Sequence, residues 1–128
     1  MLFDRFTSQE ERRAVGGSDW MELQPCRLPA GTPVRQCLDA ELTFWRLDSL
    51  YIRDETRFCR EYGPVFSDGF YQNRCRGPVD PYGLNYYPPD LTPVILERLR
   101  QLCPSEYETL LEWMDRAGPC HGFYLLGI

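Results

Sequence analysis

A chain of 128 residues, 43% hydrophobic and 14% aromatic, carries enough apolar surface for one folded domain and too many aromatics for a disordered one. Its net charge of −5 argues against nucleic acid as a partner, because phosphate binding rests on a concentrated basic surface. An acidic surface suits solubility and encounter with a basic protein instead.

All fourteen basic residues are Arg and there is no Lys, as a GC-rich genome would encode. Schiff-base and P-loop chemistry are thereby removed together. No run approaches the roughly 18 apolar residues of a membrane span, so no membrane is expected. The opening residues, with an acid at Asp4, do not read as a secretory signal. The expected compartment is therefore cytoplasmic, and its reducing conditions would keep the six cysteines as thiols. These lie eleven or more residues apart, which leaves no C-x-x-C for a metal or for dithiol chemistry. No cofactor and no metal are expected.

Residues 1–18 mix charge with glycine and show weak periodicity, with at most a short helical turn at Ser8–Ala14. They read as a loosely held arm, and residues 19–128 as the folded domain. From Trp20 to Trp45, short apolar runs broken by Pro25, Pro29 and Pro33 predict two or three strands. Asp48 or Asp54 can cap a helix that runs to Tyr62, with Leu50, Tyr51, Phe58, Cys59 and Tyr62 on one face.

The stretch Gly63–Asp90 holds four Gly and five Pro among many aromatics. Beyond a short strand near Phe70–Arg74 it predicts irregular structure, which at this length inside a domain is commonly functional. Thr92 and Pro93 then open a helix with Ile95, Leu99 and Leu102 as its stripe. Ser105 and Glu108 have capping-box spacing before Tyr107, Leu110, Leu111 and Met114, and Gly118 stops that helix. The terminal HGFYLLGI predicts a buried C-terminal strand. The sum is a single small α+β domain: a mixed or antiparallel sheet with three helices packed on it.

The lone histidine, His121, follows Cys120. Neighbours on a strand point to opposite faces, so the two make a poor nucleophile–base pair. Asp68, Asp80 and Asp90 sit among Gly and Pro, where aspartate forms turns more often than it serves as acid or base. The segment Asp80–Asp90 is the candidate binding loop, through Asp80, Tyr82, Asn85, Tyr86 and Tyr87. Tyr presents a rigid apolar ring with a polar tip, and Gly83 with the prolines would stiffen the loop. The alternative is that the tyrosines pack inward and pair their hydroxyls. Glu108, Glu112 and Asp115 form an acidic stripe on the last helix, either a solvated face or a contact for a cationic partner.

The segments DGFYQNR (Asp68–Arg74), DPYGLNYYPPD (Asp80–Asp90), ETLLEWM (Glu108–Met114) and GFYLLGI (Gly122–Ile128) resemble small bacterial immunity proteins of polymorphic-toxin and contact-dependent growth inhibition loci. The resemblance covers less than half of the chain. It implies a cytosolic inhibitor that binds a cognate toxin domain, often a nuclease with a basic active-site cleft. Two other readings stand beside it. One is an adaptor or structural subunit that assembles through exposed aromatics, as a homodimer or on a scaffold; the other is a small enzyme using a thiolate or a carboxylate pair.

Overall fold

The computed structural model describes residues 1–16 and 20–127. Seven strands, each neighbouring pair antiparallel, form one sheet in the order β1-β3-β2-β7-β6-β4-β5. They are β1 (Phe3–Asp4), β2 (Met21–Pro25), β3 (Leu50–Ile52), β4 (Gly69–Tyr71), β5 (Arg76–Gly77), β6 (Leu84–Tyr87) and β7 (Phe123–Leu126). The helices are α1 (Gln9–Val15), α2 (Val34–Asp39), α3 (Glu55–Tyr62), α4 (Thr92–Leu102) and α5 (Tyr107–Ala117). The architecture is α+β. Five helices stand among the described residues where the sequence predicts three.

Strand residues alternate between two covered faces. Met21 and Leu23 of β2, Leu50 and Ile52 of β3, and Phe123 and Leu125 of β7 point to one side. There they meet Phe58 and Tyr62 of α3, Ile95 and Leu99 of α4, and Leu110 and Trp113 of α5. The other side of β6 and β7 carries Leu84, Tyr86, Tyr124 and Leu126, closed by Cys37 and Leu38 of α2. Covered on both faces, β2 and β7 are buried at every position. β7 lies fourth of the seven strands, between β2 and β6.

The N-terminal segment is not a loose arm over the residues described. Leu2, Phe3 and Phe6 are buried, and β1 pairs with β3 in the register Phe3↔Ile52. Phe3 meets Tyr62 edge-on at 5.4 Å between ring centroids. Ser8 caps α1 by accepting from the Glu11 amide at 3.0 Å. The burial of three large apolar residues outweighs the charge between them. Gly17 and Ser18, which the expected arm included, and Asp19, the expected start of the domain, lie outside the described residues.

Between Trp20 and Trp45 the structure has one strand and a helix rather than two or three strands. Leu50 and Tyr51 are strand residues, and Asp54 rather than Asp48 caps α3, accepting from the Arg57 amide at 3.0 Å. A 3-10 turn at Pro89–Leu91 leads into α4, so Thr92 is its first residue and not its cap. The expected capping box does not form. The Ser105 hydroxyl donates to Glu61 instead, and Glu106, at φ 61°, precedes α5.

Candidate binding surface

The site starts from a buried carboxylate. Period-2 alternation aims Glu22 and Gln24 of β2 away from the helical core, toward the face that Tyr51 of β3 also supplies. Glu22 is 3% exposed, and a buried carboxylate survives only when its lone pairs are filled. Its Oε1 accepts from the Trp45 amide at 2.9 Å. Its Oε2 accepts from the Arg46 amide at 3.1 Å, the Ser49 hydroxyl at 2.6 Å and the Gln24 side-chain amide at 2.8 Å.

Those bonds fix the irregular segment of residues 40–47. Gln24 also donates to the Thr43 carbonyl at 2.7 Å, and the Tyr51 hydroxyl donates to the Arg46 carbonyl at 2.7 Å. Burial, and secondarily the Glu22 charge, push the Tyr51 phenol far above its ordinary pKa, so it remains a neutral donor. Gln9 of α1 donates to the Trp45 carbonyl. Arg46 is held to Asp48 by two bonds, at 2.9 and 2.7 Å. Backbone groups that no strand pairs are thus answered by side chains. Trp45 sits at φ 61°, a left-handed conformation costly for a residue with a β-carbon and kept only where surrounding bonds enforce it.

Arg12 closes the inner side of this loop. Its guanidinium lies 4.5 Å from the Trp45 ring centroid, 4.8 Å from Trp20, 5.5 Å from Tyr51 and 5.8 Å from Phe6. Its Nη1 also donates to the Gly16 carbonyl at 3.3 Å, and four quadrupoles around one weakly hydrated cation help an Arg to be 2% exposed.

The loop turns its apolar side chains outward. Phe44 is 60% exposed, Leu47 48% and Trp45 37%, and across the cleft Tyr82 is 70% exposed. Phe44 and Tyr82 flank an open cleft of about 400 Å³ with Leu42, Leu84 and Leu126 in its lining. A smaller cavity of about 170 Å³ adjoins it, sharing Phe44 and Leu126, with Trp45, Arg12 and Glu22 also in its wall.

Of the residues expected to bind a partner, Tyr82 is on this surface. Asp80 is half-buried below it and shapes the turn: its carboxylate accepts from the Tyr82 amide at 3.0 Å. Gly83 leaves room for this arrangement, since a β-carbon would stand 2.5 Å from the Asp80 carboxylate and displace it. Asn85, Tyr86 and Tyr87 are interior, a correction to the expected binding loop. Consecutive residues of β6 point to opposite faces, and both faces are covered. Asn85 donates to the carbonyls of Asp80 at 2.9 Å and Leu125 at 3.0 Å. The Tyr86 hydroxyl donates to the His121 carbonyl at 2.5 Å and that of Tyr87 to the Phe66 carbonyl at 3.3 Å.

Glu108, Glu112 and Asp115 are exposed on α5. That helix packs on the opposite side of the sheet from the Phe44 cleft, so the acidic stripe and Tyr82 do not form one interface. The Phe44–Leu47 loop, Glu22 and Arg12 were missed by sequence reasoning. The only signal for them was an adjacent Phe-Trp pair followed by Arg-Leu-Asp, which fits neither strand nor helix period.

Of the remaining reactive groups, His121 and Asp68 have structural partners. His121 Nε2 faces the Thr32 carbonyl at 2.7 Å. Burial raises the pKa of the half-buried thiols of Cys59 and Cys120, the opposite of activation. Asp68 is paired with Arg98 at 3.0 Å. Among the described residues no three His, Cys, Asp or Glu side chains are grouped to hold a metal ion, and no helix is long and apolar enough to cross a membrane. No known protein family, characterised protein or solved structure matches this chain.

Proposed function

We propose that this is a binding protein whose working surface is the cleft of Phe44 and Tyr82 with Trp45 beside it, and that it acts as a cytoplasmic immunity protein neutralising a cognate basic toxin domain. One observation carries the reading. Exposed Phe44 and Tyr82 flank a cleft, Trp45 lines the cavity beside it, and buried Glu22, Gln24 and Tyr51 hold the backbone of the loop that presents Phe44 and Trp45. Contiguous exposed apolar surface costs solubility and marks interaction sites. A loop ordered before binding loses less entropy when a partner arrives, which is how aromatic anchors become dominant contacts. The charge of −5 would speed encounter with a basic domain. The resemblance of Asp68–Arg74 and Asp80–Asp90 to immunity proteins points to the same class of partner.

The test is rescue of cells by co-expression with the toxin domain encoded beside this gene. The wild-type chain should rescue. The Phe44→Glu, Tyr82→Glu double variant, altering only exposed side chains, should fold normally, fail to rescue and lose binding by roughly a hundredfold or more, as expected for removal of two anchors. Equal rescue by both chains removes the surface from the proposal. A wild-type dimer that the double variant dissolves would favour the self-associating adaptor.

A further inference from the structure

The face of the sheet under α2 gathers two thiols and two phenols in one buried cluster. Cys26 directly follows β2 and Cys37 lies in α2. They are 1% and 0% exposed and pack together with Tyr86, Tyr124, Leu38 and Leu126. One hydroxyl joins them: the Cys26 thiol donates to the Tyr124 hydroxyl at 3.7 Å, and that hydroxyl donates to the Cys37 carbonyl at 2.5 Å. The Cys37 thiol donates to the Thr32 carbonyl at 3.9 Å. Each sulfur also feels the other. Burial first, opposed by the Tyr86 hydroxyl and joined by the Cys26 thiol, holds the Cys37 thiol above its ordinary pKa. Cys120 feels Cys26 as well, but it packs with Cys59 against the helical core on the other side of the sheet. Cys75 and Cys103 are exposed.

We propose that Cys26 and Cys37 are a disulfide-forming pair, which oxidation closes into a covalent tie between the end of β2 and α2. The co-reactant is a small-molecule disulfide such as oxidised glutathione. One protein thiolate attacks a sulfur of that molecule and expels its other half as a thiol. The second protein thiolate then attacks the captured sulfur of the first and expels the remaining half. One S–S bond breaks and one forms, and two protons and two electrons pass from the protein to the small molecule. Sulfurs this deeply buried meet no oxidant while α2 is docked, so closure waits on α2 opening. That helix has six residues, and Pro33 before it supplies no side-chain cap, which makes it an element of low local stability. When it closes again, the fold returns the second thiol to the first at high effective concentration. The chain runs from α2 straight into Ala40 and Leu42 of the Phe44 cleft, so the tie fastens the root of that loop. The pairing itself does not depend on what the cleft binds.

The full chain carrying Cys75→Ser and Cys103→Ser, both exposed positions, is incubated with oxidised glutathione, alkylated and cut with trypsin. Cleavage after Arg27 and Arg35 puts Cys26 and Cys37 on different peptides. The expected product is a monomer lighter by two hydrogens, whose digest holds those two peptides joined and releases them on reduction. Before digestion, the oxidised chain should unfold in urea at a midpoint higher by about 1 M or more, since the tie restrains the unfolded chain. The proposal is overturned if Cys26 and Cys37 are recovered alkylated, if either retains glutathione, if Cys26 joins Cys120 instead, or if the joined chain is no more stable than the reduced one.

Discussion

Replacing Glu22 by Gln is the sharpest perturbation available, because it changes no atom's position and one atom's chemistry. The carboxylate accepts four bonds, three at Oε2 and one at Oε1. A glutamine has one acceptor oxygen, best placed where Oε2 was. Its new NH₂ then faces the Trp45 amide, donor against donor. That amide loses its partner, at a cost of about 1–3 kcal/mol. The three surviving bonds lose their charge assistance, roughly another 1 kcal/mol each, of which relief from burying a charge returns a part. The expected destabilisation is about 3 kcal/mol. In urea, with a slope of roughly 1.5 kcal/mol per molar for a chain of this size, the midpoint should fall by about 2 M without a change of slope. Amide exchange at Trp45 and Arg46 should rise well before the rest of the sheet opens. Glu41→Gln, an exposed acid on the same loop, should stay within about 0.5 kcal/mol of wild type. A loss below about 1 kcal/mol with unchanged exchange at Trp45 and Arg46 would refute the claim that Glu22 organises this surface.

Phe3→Ala should cost about 3–5 kcal/mol in chemical denaturation, the value for a buried aromatic and not for a mobile arm; a change under 1 kcal/mol would return the N-terminus to the loose state. Gly122→Ala should cost about 3 kcal/mol or more, since φ is +85° and a β-carbon would lie 2.2 Å from the Tyr87 carbonyl oxygen, and a thermal melt within two degrees of wild type contradicts this. Arg98 donates to both Asp68 oxygens, at 3.0 and 3.2 Å, and those bonds hold the Asp68 carboxyl below its ordinary pKa. With the folded value depressed, the stabilisation is complete above the unfolded value near 3.9 and lost as pH falls through the folded one. Asp68→Asn, at a site about one-third exposed, should therefore cost about 1 kcal/mol at pH 7, and the gap to wild type should close below about pH 4; a gap constant down to pH 2.5 argues against the pair.

The elements legible in the sequence are those whose signal is local. The stripe of α5 and its stop at Gly118, where φ is 67°, need no distant partner, and neither does Asp54 at the start of α3. The rest depended on long-range cover. β2 alternates apolar and polar residues, Met-Glu-Leu-Gln, so Glu22 and Gln24 read as a solvated face, although both are buried because that face is covered too. Leu42 and Phe44 alternate as in a strand, yet their backbone is held by side chains from β2 and β3. Arg12 is a buried charge surrounded by four aromatic rings spread between residues 6 and 51. Tyr86 and Tyr87 have the composition of an interface and the environment of a core, a distinction fixed by α2 and α3 and by no residue near them.

These misreadings share a physical cause that bears on function. A buried cluster of Glu22, Gln24, Ser49 and Arg12 is an expensive way to close a sheet. Apolar residues of similar volume often stabilise at least as well, because charges must be stripped of water before they pair. The opposite half of the molecule follows the cheaper course, with α3, α4 and α5 laid on Leu, Ile and Phe. What the polar cluster supplies, and an apolar one would not, is direction: hydrogen bonds fix the Trp45 and Arg46 peptide groups in one geometry, whereas apolar contacts tolerate sliding. The return on that cost is found at the surface, where Phe44, Trp45 and Leu47 stand exposed on an irregular backbone that would otherwise be free to move. A protein in which this loop merely connected α2 to β3 would have no use for such an anchor. Replacing Glu22, Gln24 and Ser49 together by apolar residues of matched volume removes the partners of the Thr43, Trp45 and Arg46 peptide groups, so residues 43–46 should open to exchange while the sheet stays folded, at a cost of about 1–3 kcal/mol; a stable triple variant whose loop stays protected would break the link between the buried cluster and the exposed one.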